Sequence, residues 1–328
     1  VRPDLLAPLL LPLASWPVAR WVAPRLSPRL GSWLLTGSAL VLAVGSTATL
    51  AVLAAAGLAQ LPVVGDLGDF SVAAFRGADA VNLPLAIGCG VALLIIAIAL
   101  ARATIQYVRW HRKVHAELNV FARDPGIVLL PGEEPVAFAV AGNGGRIAVS
   151  RGMLAALEPA ERRALLAHEK AHLLLRHHFF AAIATVATTV NPLLRPLGSA
   201  ARFALERWAD EVAANQVGDR KLVATAVAKA ALASSSPPSL ALAATGGPVP
   251  RRVRALLSAP SPRRPLAAIA VAAVLGACGW SAACALDAAT DLHTGIETAQ
   301  AACVLAQGSH SEPAPSAFRH EHRKCAES

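Results

Sequence analysis

The stretch of this chain whose residue types and spacing could do chemistry is His168-Glu169-Lys170-Ala171-His172. Histidines four positions apart lie on one face of a helix, one turn from each other, so both imidazoles can reach a single Zn2+. Glu169 then stands beside the metal and can take a proton from a bound water. Such a site needs a third ligand from a separate element and a fourth position left for water. Glu206-Arg207-Trp208-Ala209-Asp210 supplies a candidate. Glu206 and Asp210 share a helical face, so one can bind metal while the other orients a ligand histidine. Glu206 is therefore assigned as ligand and Asp210 as the orienting carboxylate, with one Zn2+ per chain. Glu211 points elsewhere and reads as a solvated charge. The competing account makes the first motif an exposed, charged turn with two surface histidines, and Glu206 and Arg207 surface residues of an amphipathic helix.

Several elements must hold these residues. Glu158-Pro159 opens a helix that runs without a breaker through Ala160–Arg176, since Pro suits the first helical position. Another helix is expected over Ser199–Val217, ended by Gly218. Ahead of both, Pro135–Val140 and Arg146–Ser150 flank Gly142-Asn143-Gly144-Gly145, a β-hairpin whose turn residues tolerate positive φ. The Pro135–Ser150 hairpin could offer an edge strand on which an extended substrate is held by β-augmentation, to be tested by charged substitutions along Ile147–Ser150. Between His172 and Glu206 lies the apolar stretch Phe179–Val190, followed by Asn191-Pro192. A complete membrane crossing there would put Glu206 on the far side from the histidines. The segment is thus expected to be re-entrant, surface-lying or buried in protein, with its bend at Asn191-Pro192.

Composition sets the surroundings. Apolar residues make up 55% of the 328 and charged ones only 16%, against roughly 25% charged in an average soluble domain. Three apolar runs, Trp33–Leu58, Leu83–Ala101 and Leu266–Leu286, reach or approach the roughly 20 helical residues that cross a bilayer core. A fourth, Leu5–Val18, is interrupted by Pro8, Pro12 and Pro17. Arg20, Arg25 and Arg29 follow it where a signal peptide would have a small-residue cleavage site, so it reads as a kinked first span. The net charge of +9 comes mostly from Arg clusters beside these runs. The positive-inside rule then places Arg20–Arg29 and the stretch from Arg102 to Arg264 in the cytoplasm, with Gln60–Asn82 and the tail outside. No aromatic-and-basic stretch resembles a nucleic-acid module, and no nucleic-acid partner is expected. The organisation expected is an N-terminal membrane domain of about three spans over 1–102, then a cytoplasmic zinc peptidase unit over 103–233 with a hairpin near 179–198. A linker over 234–264, a last span over 265–286 and an extracytoplasmic tail over 287–328 complete it. Among the five cysteines, Cys89, Cys278 and Cys284 fall in apolar runs and read as small core residues. Cys303 and Cys325 lie in the tail, where a disulfide would persist.

The arrangement resembles the BlaR/MecR-type family of integral membrane zinc peptidases. The resemblance rests on His168-Glu169-x-x-His172, Asn191-Pro192 and Glu206-x-x-x-Asp210-Glu211, across roughly Pro135 to Gly218. Arg146-Ile147-Ala148-Val149-Ser150 and Pro159-Ala160-Glu161-Arg162-Arg163 are also similar. It implies zinc, a gluzincin-like site and proteolysis near the membrane of a cytoplasmic repressor or of the chain itself. Related housekeeping membrane peptidases with H-E-x-x-H and E-x-x-x-D come second. β-Lactam receptors of the family carry a penicillin-binding domain after the last span. Residues 287–328 contain no Ser-x-x-Lys, so β-lactam sensing is not expected here.

The expected fold is mainly α: a multi-span helical protein of the inner membrane with an inserted cytoplasmic zincin-like α+β peptidase unit. Its partners are the lipid bilayer and a protein substrate. A membrane zinc endopeptidase in regulatory proteolysis is the leading expectation, with a quality-control metallopeptidase and a non-catalytic zinc-binding receptor or transporter as alternatives. The clear spans carry almost no ionisable residues, which counts against transport. Arg251, Arg252 and Arg254 are expected at lipid headgroups, and Tyr107, Trp110 and His111 as interfacial anchors. His177 and His178 read equally as oxyanion donors or interfacial residues. His310, His320, His322 and Cys325 are expected in a polar, disordered tail.

Overall fold

The computed structural model describes residues 3–79, 81–121, 126–142, 144–234, 249–258 and 265–308. The helices used below are α1 (Pro28–Leu58), α2 (Leu83–Phe121), α3 (Pro159–Leu174), α4 (His177–Val190), α5 (Arg195–Val217), α6 (Arg220–Ala233), α7 (Val249–Leu257) and α8 (Pro265–Gly308). The strands are β1 (Gly126–Leu130), β2 (Ala137–Val140) and β3 (Arg146–Ser150). The chain is mainly α with one small mixed sheet. Its contacts divide it into two units, one of Val1–Pro12, Val41–Ala99 and Ala277–Ser328, the other of Leu13–Leu40 and Leu100–Gly276.

Among the described residues, four helical stretches are long and apolar enough to cross a membrane: Leu6–Arg25, Pro28–Leu58, Leu83–Phe121 and Ala268–Leu305. The first is helical throughout but passes through 3-10 and π turns around its prolines, because Pro removes the donor that a regular α ladder needs. Ile87, Leu94 and Ile95 of α2 are each more than half exposed, an apolar face suited to lipid rather than water. With 39 residues, α2 extends about 58 Å at 1.5 Å per residue, well past a core of about 30 Å. Its Arg- and Lys-bearing second half therefore continues beyond the apolar run.

In the first unit, residues 60–82, expected as a loop, form the helices Pro62–Gly68 and Val72–Asp79. Phe70, Val72 and Phe75 pack with Ala56, Ala59 and Ala299, and Ser71 donates its N–H to the Ala299 carbonyl. The last helix does not stop near Leu286 but continues through Gly308. Alanines interspersed among Asp287, Asp291 and Glu297 keep helix propensity high although the sequence has turned polar. Cys303 is buried and disulfide-bonded, and Cys325, the partner expected for it, lies outside the described residues, as do His310, His320 and His322.

The second unit holds the expected hairpin, β2 antiparallel to β3, with Gly142, Gly144 and Gly145 at positive φ in its turn. An additional strand, β1, runs parallel to β3, giving the order β1-β3-β2. The expected hairpin keeps an outer strand, but not along Ile147–Ser150. All five β3 residues are buried and paired on both sides, so Ile147–Ser150 offers no free edge, and β1 and β2 are the outer strands. Ser150 donates its N–H to the Val136 carbonyl at 2.9 Å. By alternation, Phe138 and Val140 bond inward to β3, and the N–H groups of Ala137 and Ala139 face outward.

Helix α3 starts at a capping box formed by Glu158 and Glu161, with Pro159 at its first position. It ends at Leu174 because Arg176 adopts a left-handed conformation (φ 52°), and α4 departs at a bend of 66°. Asn191 caps the next turn by accepting from Leu193 N–H, and the chain reverses there as expected. Helix α5 begins at Arg195, four residues before the expected Ser199. Gly198 permits its return along α4, since a Cβ there would lie 2.5 Å from Thr188 Cγ2. Small residues form the centre of the bundle: Ala164 and Ala167 of α3, Ala213 and Ala214 of α5, and Ala224 and Ala226 of α6. Their size lets backbones approach closely, which brings long side chains on the same helices into one place. Residues 234–264, expected to be only a linker, contain α7, whose Leu256 joins this core; 235–248 and 259–264 lie outside the described residues.

Candidate metal centre

The bend at Arg176 and the reversal at Asn191 return the chain so that α5 packs against α3. His168 and His172 then face Glu206. Their Nε2 atoms are 3.1 Å apart, and Glu206 lies 3.6 Å from each, through Oε2 to His168 and Oε1 to His172. Ligands about 2.0–2.1 Å from a tetrahedral Zn2+ are separated by about 3.3 Å, so these spacings fit one cation. Among the described residues this is the group of three or more His, Cys, Asp or Glu placed to hold a metal. Glu169 Oε2 is buried with no hydrogen-bond partner, as expected of a group shaped to meet a cation's water.

Each ligand histidine has a backing group. His168 Nδ1 lies 3.0 Å from Asp210 Oδ1, the orienting contact that the helical spacing implies. His172 Nδ1 meets His177 Nδ1 at 3.0 Å. His177 is buried and stacks near Trp208 and Phe180. It is therefore neither an oxyanion donor nor an interfacial residue, but fixes the ring of His172, a candidate ligand. Glu169 accepts a hydrogen bond from the backbone N–H of Ala139, so the outer edge of β2 meets the residue expected to act as base.

Arg252 is the largest departure. It does not reach for headgroups; it is 4% exposed and forks onto Asp210, with Nε to Oδ2 at 2.9 Å and Nη2 to Oδ1 at 2.6 Å. Its Nη1 lies 2.9 Å from Glu206 Oε2, and its Nη2 lies 3.4 Å from His168 Nε2. A signal for this existed. Val249, Arg252, Val253 and Leu256 fall at i, i+3, i+4 and i+7, so Arg252 sits on the apolar stripe, which Arg251 and Arg254 do not. Glu211, expected to be solvated, instead pairs with Arg220 through both carboxylate oxygens. Arg220 also donates to the carbonyls of Ala255 and Leu256, which pins the end of α7 and with it Arg252.

The electrostatics follow from this packing. Burial works against a proton on His168, yet contacts with Asp210 and Glu206 outweigh it and raise its pKa to about 10. Burial likewise tends to raise Glu206, but Arg252 and the two histidines hold it down at about 2. Asp210, also buried, is held below the ordinary carboxylate range by Arg252 and His168. Burial lowers His172 to about 4 and His177 to about 3, and pushes Glu169 up to about 7. The two carboxylates thus hold a proton on His168 in the same cluster that would receive a cation, and that proton must leave on binding.

A family model described as Peptidase family M48 matches residues 106–205. The match supports a metallopeptidase. It covers the protruding half of α2, the sheet, both motif histidines and the return to α5, and members of that family typically use zinc. It ends one residue before Glu206, so the candidacy of Glu206 as third ligand rests on geometry. The coarse expectation of a metallopeptidase is supported; the BlaR/MecR-type assignment is not. No curated protein and no solved structure matches the chain.

Proposed function

We propose that the chain is a membrane-bound zinc endopeptidase that hydrolyses peptide bonds of protein substrates near the inner membrane surface, in regulatory proteolysis. The observation that carries this is the convergence of His168, His172 and Glu206 beside the buried, half-unpartnered carboxylate of Glu169. His168, His172 and Glu206 would hold Zn2+, which supplies Lewis acidity and lowers the pKa of a bound water. Glu169 takes the proton from the attacking water and delivers it to the leaving amine. Asp210 and His177 hold the two imidazoles in orientation, and Arg252 balances the charge of Glu206 and Asp210. The outward N–H of Ala137 gives β2 a free position on which an extended substrate can pair.

In this reading the unit is cytoplasmic, which the charge pattern supports, and the zinc is one per chain. The substrate is a cytoplasmic repressor or the chain itself. Because the matching family model is not the family that the flanking motifs resemble, membrane-protein quality control stands as a second reading of the same chemistry.

New protein N-termini in cells expressing the chain or its Glu169→Gln variant provide the test. Ends that depend on Glu169 support a peptidase and distinguish one regulatory substrate from many misfolded ones. Identical profiles, together with a zinc-loaded purified chain that leaves unfolded proteins intact, would favour a non-catalytic zinc-binding receptor.

A further inference from the structure

Outside the centre formed by His168, His172 and Glu206, α2 carries a second pair of histidines at i and i+4. His111 and His115 bring their Nε2 atoms to 3.2 Å, close to the 3.1 Å between His168 and His172. The carbonyl oxygen of Ala141, at the end of β2, completes a triangle, 3.3 Å from His111 Nε2 and 3.1 Å from His115 Nε2. We propose that these three atoms form a second metal site, for a divalent transition-metal cation that favours imidazole.

The triangle has the dimensions of one face of a tetrahedral site, whose edges are about 3.3 Å for ligands at about 2.0–2.1 Å. Neutral rings also leave the hydrogen bonding of this triangle incomplete. Each neutral imidazole carries one N–H, on either nitrogen. If both rings hold it on Nδ1, three lone pairs converge with nothing between them. If one ring holds it on Nε2, a single proton is shared by two acceptors, which still face each other with nothing between them. Two such N–H groups would instead confront each other. A cation satisfies all three atoms at once.

The turn is built for the approach. Gly142 has φ +104°, and a Cβ there would stand 3.3 Å from His115 Nε2 and 3.7 Å from His111 Nε2. Imidazole ligands suit Zn2+, Cu2+ and Ni2+ rather than Mg2+ or Ca2+. His115 Nδ1 is buried without a partner, so this site lacks the backing that Asp210 gives His168 and binds more weakly than the first centre. A cation here would pin the hairpin to α2. Ala141 lies two residues beyond Ala139, whose N–H reaches Glu169, and Gly145 in the same turn packs on Leu173, next to His172.

The test titrates Zn2+ alone into the purified full chain carrying His168→Asn and His172→Asn, which removes the first centre. One further equivalent should bind with micromolar affinity, and adding His111→Gln and His115→Gln should weaken it at least tenfold. In the otherwise native chain those Gln substitutions should leave the tightly held zinc in place, which shows that the fold survives. If they disturb it, His111→Gln alone becomes the deciding variant, with the same tenfold loss expected. No uptake by the His168→Asn, His172→Asn chain, or uptake unchanged by the His111 and His115 substitutions, overturns the site. Neither result bears on zinc at His168, His172 and Glu206, so the two readings fail separately.

Discussion

Replacing Arg252 with Met should turn the stability of the site-bearing unit into a function of zinc. Arg252 and Glu206 are each 4% exposed and Asp210 1%, so solvent cannot screen the charges left behind. Met keeps most of the aliphatic stem, so packing is largely preserved and the loss is mainly electrostatic. Removing one partner of a buried ion pair costs about 3–5 kcal/mol. The unit spans roughly 200 residues, and at about 2–4 °C per kcal/mol its Tm should fall by about 6–20 °C in chelator. Zn2+ held by Glu206 restores positive charge beside the same carboxylates, so at saturating zinc the deficit should shrink to less than half. Thermal unfolding of the purified protein in detergent, with chelator and with zinc, reads both numbers. Arg252→Lys should fall between, since it restores charge without the fork onto Asp210. A shift below about 2 °C in chelator, against the 3–5 kcal/mol expected, refutes the bridging role of Arg252. A loss equal in both conditions refutes the electrostatic coupling to the metal.

Further outcomes follow from the same geometry. Glu169→Gln should retain zinc and lose about 10²–10⁴-fold in peptide cleavage, read by metal analysis beside an activity assay. Asp210→Asn and His177→Phe each remove a group behind a ligand ring, and each should weaken zinc binding by about 10–100-fold in chelator competition. Ala137→Pro removes an outward N–H without breaking the β2–β3 ladder and leaves the Ala139 N–H that Glu169 accepts, so cleavage should fall at least tenfold with zinc content unchanged. Unchanged cleavage in that variant would rule out a role for the β2 edge.

The parts of the site that follow local periodicity are legible in the sequence. A spacing of four fixes a helical face, so His168 pairs with His172, and Glu206 with Asp210, on spacing alone. The reversal at Asn191-Pro192 can be argued because Glu206 must share a side with the histidines. What escapes depends on contacts distant in sequence or on polarity misread as exposure. Arg252 reads as one of three surface arginines, although its place among Val249, Val253 and Leu256 marks a buried position. His177 cannot be assigned without knowing that Arg176 turns the chain left-handed and swings the next residue behind His172. Strand β1 pairs in parallel with β3 rather than with its sequence neighbour β2, and no local pattern announces such a partner. That strand pairs the second side of β3 and leaves β2 as the outer strand of the hairpin. The polar run after Leu286 suggests a tail because hydropathy falls, whereas alanine content keeps it helical through Gly308.

The central claim, one cation held by His168, His172 and Glu206, is tested most directly by the zinc that stays with the purified chain through desalting. About one tightly bound zinc per chain is expected in the native protein and in Glu169→Gln. Glu206→Ala should lose it, while Glu211→Ala, on the same helix but paired with Arg220, should keep it. A native chain without tightly bound zinc, or a Glu206→Ala chain that keeps it, would contradict the account.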